Sequence, residues 1–257
     1  MGKKRRERRA SKHVEESNIK EKPIWEKKPV RALNDLQKKY INSIRNHAIT
    51  LGTGVAGSGK TYIAASIAAE MLLDTRNHIE KIIIARPNEV EGTKSIGFLK
   101  GSLNEKMAPL VAPVINTLKQ RLGASHYENL LSKEKIQFLP LEYIKGLSFD
   151  NCFVIIDEAE DIEWSILKTL LLRTGKNCRI VIDGDIRQTS ISKTSGLQVL
   201  WNLMDNNHMP IIHVDFHSWD YCVRSDECRL FGEVFEQYDS PKEEKPKTRT
   251  GWHSWKK

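Results

Sequence analysis

The run Gly54-Val55-Ala56-Gly57-Ser58-Gly59-Lys60-Thr61 constrains this chain more than any other feature. It fits G-x-x-x-x-G-K-[ST], follows the apolar stretch Ala48 to Thr53 and opens the helical pattern Lys60 to Leu73. That is the strand–loop–helix setting the motif needs. The glycines let the backbone curl so that successive N–H groups converge. The positive end of the helix adds to the field, and together they make a cradle for phosphates. Lys60 is placed to reach β- and γ-phosphates. Thr61 is placed to lend its hydroxyl to Mg²⁺, which keeps several waters and takes one or two protein ligands beside phosphate oxygens. A Gly-rich turn could match the same letters, so a second motif has to support the reading.

Phe153-Val154-Ile155-Ile156-Asp157-Glu158 supplies it, a four-residue apolar strand ending in two carboxylates. In an open α/β sheet, ligands sit at the carboxyl ends of the strands, so both motifs end at one edge. There Asp157 would orient Mg²⁺ or its water shell, and Glu158 would polarise the water that attacks the γ-phosphate. As a helix N-cap, Asp157 would have a purely structural role. Glu160 and Asp161 follow and need only stabilise a first helical turn, so they are assigned no chemistry. The segment Ile180 to Gln188 again runs from a strand into a polar loop, and the Gln188 amide could hold the attacking water or sense the γ-phosphate, unless the loop is simply an exposed turn.

The surrounding pattern is that of a doubly wound α/β fold with a mostly parallel sheet. Strands are expected at Ala48–Thr53, Lys81–Ala85, Ile136–Leu139, Cys152–Ile156, Arg179–Ile182 and Ile211–Phe216. Helices are expected at Leu33–Arg45, Lys60–Leu73, Leu103–Arg121, Trp164–Arg173, Gly196–Asn206 and Asp226–Tyr238. The 257 residues suffice for one sizeable domain. Its expected bounds are 29–238, between a charged, aperiodic arm over 1–28 and a polar, basic tail over 239–257, both read as flexible.

The net charge of +8 belongs to those ends. Residues 1–12 carry +6 and 239–257 carry +3, which leaves −1 for the span between. Such arms attract phosphate backbones without reading sequence. Trp252 and Trp255, among Arg249, Lys256 and Lys257, could stack unpaired bases, or the tails could merely solubilise. No apolar run of spanning length occurs, and the basic start leads into Ser11, His13 and Glu15 rather than an apolar segment, so neither a membrane partner nor export is expected. Cys152, Cys178, Cys222 and Cys228 form no C-x-x-C pair, which fits a reducing, cytoplasmic setting. His213 and His217 fall on a strand and its exit and would not share a face as zinc ligands.

In order, GSGKT, Arg86-Pro87, Ile96-Gly97-Phe98-Leu99-Lys100-Gly101, VIIDEAE, Leu171 to Gly175, GDIRQ, SGL and Cys222-Val223-Arg224-Ser225 resemble the PhoH family of ATPases over about Arg31 to Tyr238. The resemblance implies a RecA-like P-loop NTPase core of the superfamily 1 helicase type. It also implies ATP and Mg²⁺ as cofactors, coupling to RNA or single-stranded nucleic acid, a homo-oligomeric ring such as a hexamer, and a cytoplasmic place in a bacterial or phage-infected cell. It implies that Gln37 reads the adenine edge and that Arg224 is an arginine finger offered to a neighbouring subunit. By themselves the residues give Gln37 only as a polar position on an amphipathic helix and Arg224 only as a cation before the last helix. The chain departs from the family pattern at Leu147, at Glu160-Asp161 in place of a Gln-Asn pair, and at Ser225. Two other readings use the same phosphate loop: a small-molecule kinase, which would need an acceptor pocket, and a nucleotide-gated binding module with weak hydrolysis, against which Glu158 argues.

Overall fold

The structure, a computed structural model, describes residues 29–87, 106–144, 146–189, 191 and 194–239. The expected arm over 1–28, the tail beyond 239, the Ile96–Gly101 motif and the start of the helix expected at Leu103 lie outside the described residues. Six strands build one sheet: β1 (Ile49–Gly54), β2 (Lys81–Arg86), β3 (Ile136–Pro140), β4 (Cys152–Ile156), β5 (Arg179–Gly184) and β6 (Ile211–Phe216). Their order is β3-β2-β4-β5-β1-β6, and every neighbouring pair is parallel. The helices among the described residues are α1 (Asp35–Asn46), α2 (Lys60–Leu73), α3 (Ala112–Leu122), α4 (Ala124–Ser132), α5 (Trp164–Leu171), α6 (Gly196–Asn206) and α7 (Asp226–Asp239).

Successive side chains of a strand point to opposite faces, so a sheet covered on both sides needs strands that are apolar throughout. Strand β4 meets that demand: Phe153 and Ile155 join the core under α1, α2 and α3, while Cys152, Val154 and Ile156 join the core under α5 and α6. Helix α2 buries Ile63, Ala64, Ala65, Ile67, Ala68 and Ala69. Its alanines let it lie close to the sheet, and that sets the depth of the loop at its N-terminus.

The helix boundaries that differ from expectation have local causes. Helix α1 starts at Asp35 rather than Leu33 because Asn34 caps it, its Oδ1 accepting the Gln37 N–H at 2.8 Å. Helix α3 starts at Ala112 with Pro113 in its first turn, where proline's missing N–H costs nothing; residues 108–111 turn before it. Helix α4 was not expected, since its short polar sequence buries Tyr127 alone.

The strand order positions the site. Strand β5 lies between β1 and β4, so the segment leaving β5 rises between the phosphate loop and the Asp157-Glu158 pair. Strand β1 ends against β6, where Val55 N–H donates to Phe216 O at 3.0 Å. Gly54 makes this turn with φ +114, and an added Cβ there would lie 2.2 Å from Phe216 O. Gly146 also has positive φ, +89, but nothing lies within 4 Å of an added Cβ. Gly146→Ala is therefore expected to cost about 1–2 kcal/mol in urea unfolding, from backbone strain alone. Gly54→Ala adds an overpacking cost of about 1–3 kcal/mol on top of that strain. Equal losses for the two variants would refute the steric account of the β1–β6 junction.

Candidate functional site

The carboxyl ends of β1, β2, β4 and β5 surround a cavity of about 430 Å³, within the range of small-ligand sites. Its wall includes Gly54, Ala56, Gly57, Ser58, Gly59, Lys60 and Thr61 together with Asp157, Glu158, Gln188 and Arg224. The expected phosphate loop, carboxylate pair, Gln188 and Arg224 thus share one cavity, with Val55 buried beneath the loop.

The loop is held from inside. The Lys60 ammonium donates to Gly54 O at 2.7 Å, Val55 O at 3.0 Å and Ser58 Oγ at 3.1 Å, and burial lowers its pKa. Ser58 Oγ in turn donates to Val55 O at 2.9 Å. Gln37 is buried under the loop, its Nε2 donating to Ser58 O at 2.9 Å and its Oε1 accepting the Leu33 N–H at 2.8 Å. Val223 N–H donates to Gly57 O at 2.9 Å. This bond brings Arg224 to the rim of its own chain's cavity, whereas the resemblance has it offered to a neighbour.

Across the cavity, Thr61 Oγ1 donates to Asp157 Oδ1 at 3.1 Å. Arg86, at the end of β2, bridges the carboxylate pair, with Nη1 3.3 Å from Asp157 Oδ2 and Nη2 3.1 Å from Glu158 Oε1. Its Nη1 also donates to Leu110 O at 2.6 Å. Burial raises the Asp157 pKa and the Arg86 charge opposes the rise. Glu158 is half-exposed and stands in the left-handed region, φ +54, which turns the chain sharply out of β4. Thr61 and Asp157 together offer a hydroxyl and a hard carboxylate oxygen. That donor set suits Mg²⁺ with its remaining positions filled by water and phosphate oxygen.

Three further groups went unrecognised as site residues in the sequence. Arg86 had a usable signal, a cation closing an apolar strand at the ligand-binding edge. Asp183, at the end of β5, is wholly buried and accepts a hydrogen bond from the Tyr40 hydroxyl, while its Oδ2 has no partner. Burial pushes its pKa up to about 7 against the pull of that bond. Glu160 stands in a first helical turn as expected, that of the short 3-10 helix Ala159–Asp161, but it is buried beside Glu158 in the cavity wall. Its Oε2 accepts the Asp185 N–H at 3.1 Å, and burial first, then the Glu158 carboxyl, raise its pKa to about 9. Gln188 is exposed and its Nε2 donates to Asp185 Oδ2 at 2.8 Å, which ties the β5 exit loop to itself.

The family model described as PhoH-like protein matches residues 29–236. The chain is 36% identical over 205 residues to Protein PhoH of Escherichia coli strain K12, covering 78% of this chain and 56% of that protein. It is 37% identical over 174 residues to a PhoH-like protein of Bacillus subtilis strain 168, covering 67% and 54%. The chain thus spans about half the length of the curated relatives it matches. Among solved structures, the large terminase of bacteriophage HK97 superposes with a TM-score of 0.54 at 12% identity, over 80% of this chain and 48% of that one, a likeness of fold. Among the described residues, no helix is long and apolar enough to cross a membrane.

Burial of the Asp183 carboxyl makes stability depend on pH, and the Tyr40 bond opposes that dependence by favouring the anion. Asp183 keeps its proton in the fold up to about pH 7 but releases it near pH 4 when unfolded. The stabilisation is therefore complete below pH 4 and is lost as pH rises through 7. Tyr40→Phe is expected to cost about 1–3 kcal/mol in urea unfolding, and more at pH 8 than at pH 5, because the anion loses its donor. A deficit independent of pH would contradict this assignment.

Proposed function

The chain belongs to the PhoH-like protein family, and from that premise we propose that it is a Mg²⁺-dependent ATPase coupled to RNA or single-stranded nucleic acid. The observation that carries the proposal is the convergence of Lys60, Thr61, Asp157, Glu158 and Arg86 on one nucleotide-sized cavity. Entering phosphates would draw the Lys60 ammonium from the loop carbonyls that now hold it. Thr61 and Asp157 would hold Mg²⁺, which when bound neutralises charge on the β- and γ-phosphate oxygens.

Glu158, half-exposed and fixed by Arg86, would accept a hydrogen bond from the attacking water and orient it at the γ-phosphate. Gln188 would hold that water or donate to a γ-phosphate oxygen once its amide swings from Asp185. Arg224 would meet the negative charge that spreads over the equatorial oxygens in the transition state. Gln37 would offer the adenine edge its second amide hydrogen, since the first is committed to Ser58 O.

The working body is residues 29–238, and the cationic ends over 1–28 and 239–257 would add salt-sensitive attraction to a nucleic-acid backbone. Helix α7 supports assembly into a homo-oligomer. It exposes Phe231, Val234, Phe235 and Tyr238 at the spacing of one face, an apolar surface that a second copy would cover.

Steady-state ATP hydrolysis with and without single-stranded RNA, across a range of salt, tests the proposal. Wild type should be stimulated by RNA at low salt, with the stimulation fading as salt rises. Glu158→Gln should lower kcat by on the order of 10²-fold or more, and Lys60→Ala should abolish nucleotide binding. Hydrolysis that ignores RNA at every salt concentration would remove the coupling; no hydrolysis in any condition would remove the enzyme. Full activity in a strictly monomeric protein would remove the ring.

A further inference from the structure

Glu160 joins pieces of the cavity wall that come from different parts of the chain. Its carboxyl accepts the Asp185 N–H at 3.1 Å and is hydrogen-bonded to the carboxyl of Glu158. Its backbone carbonyl accepts from Thr189 Oγ1 at 3.1 Å. The fit is close, since a Cβ added to Gly184 would lie 2.5 Å from Glu160 Oε2. Two carboxyl groups can hydrogen-bond to each other only if one keeps a proton. Glu160 is the one that keeps it, because its side chain is buried while that of Glu158 is 44% exposed.

An uncharged acid here donates to Glu158 and accepts from Asp185, the bonding pattern of a primary amide. The charged groups around it are Glu158 on its own segment, Asp183 and Asp185 at the end of β5 with Arg187 paired to Asp185, Lys60 from α2, Arg86 from β2 and Arg224 at the rim. Lys60 is held by loop oxygens, Arg86 by Asp157 and Glu158, and Arg187 by Asp185, so among the described residues no cation forms an ion pair with the Glu160 carboxyl.

We propose that Glu160 is a positioning residue for hydrolysis, holding the Glu158 carboxylate and the β5 exit loop in register through one donated and one accepted hydrogen bond. The inference rests on the ATPase reading above, and it makes the site sensitive to alkaline pH. When Glu160 ionises, the donated bond is lost and two carboxylates repel each other in its place.

The test compares wild type, Glu160→Gln and Glu160→Ala from pH 7 to 10. It records kcat, KM for ATP, affinity for a fluorescent ADP analogue and thermal unfolding, the last extended down to pH 5. Glu160→Ala should lose on the order of tenfold or more in kcat with KM within about threefold, as expected when an interaction acts mainly on the transition state. Glu160→Gln should recover most of that loss. The wild-type rate should fall near pH 9 relative to Glu160→Gln, whose amide does not titrate; any fall due to Lys60 is common to both. A glutamine variant as impaired as the alanine one, or an alanine variant at the wild-type rate, would overturn the proposal.

Should wild type itself fail to hydrolyse ATP, the ATPase reading falls and unfolding still decides the placement of the proton. A raised folded pKa means that the native state holds a proton the unfolded chain has released, so wild type should lose Tm relative to Glu160→Gln between about pH 5 and pH 9. A Tm difference that does not change with pH would overturn the proposal independently.

Discussion

Five acidic side chains, Asp157, Glu158, Glu160, Asp183 and Asp185, line a cavity whose loop and helix terminus are built for anions. Like charges this close cannot all ionise in a partly buried site, and the rest of the site is arranged around that constraint. Arg86 compensates Asp157 and Glu158. Tyr40 donates to Asp183, and Glu160 keeps its proton. Lys60, the one cation at the centre of the loop, stays with carbonyl and hydroxyl oxygens rather than with any one carboxylate. It is therefore a positive charge not already committed to a salt bridge.

The parallel sheet creates this crowding and also makes it useful. Every strand delivers its exit to the same edge, so residues 96 and 143 positions apart, Thr61 with Asp157 and Tyr40 with Asp183, become direct partners. Because β5 lies between β1 and β4, the Asp183-Gly184-Asp185 turn is confined on both sides. That confinement explains why Gly184 has no room for a side chain beside Glu160.

The legible parts of the sequence were those with a local signature. The glycine-rich loop, the β4 strand closing on Asp157-Glu158 and the apolar runs of the other strands each follow from neighbours in the chain, and the strand positions agree to within one or two residues. The illegible parts depend on partners brought together by the sheet. Glu160 reads as no more than a stabilising first-turn charge, and its place in the site appears only when β5 lies beside it and Asp185 donates to it. Tyr40 reads as one more apolar position on α1, since nothing near it announces Asp183. Helix α4 escaped because a nine-residue helix that buries only Tyr127 has no apolar stripe to detect.

The loop is also where three otherwise separate segments meet. Gln37 of α1 holds Ser58 from beneath, the stretch after β6 holds Gly57 through Val223, and Thr61 reaches across to Asp157 and through it to Arg86. A phosphate that pulls Lys60 from Gly54 and Val55 changes the bonding of the loop against all three. Each of these links is a hydrogen bond between packed elements, which exchange partners more readily than they deform. A ligand that shifts the loop would therefore act on α1, on the segment carrying Arg224 and, through Asp157, on Arg86 at the end of β2.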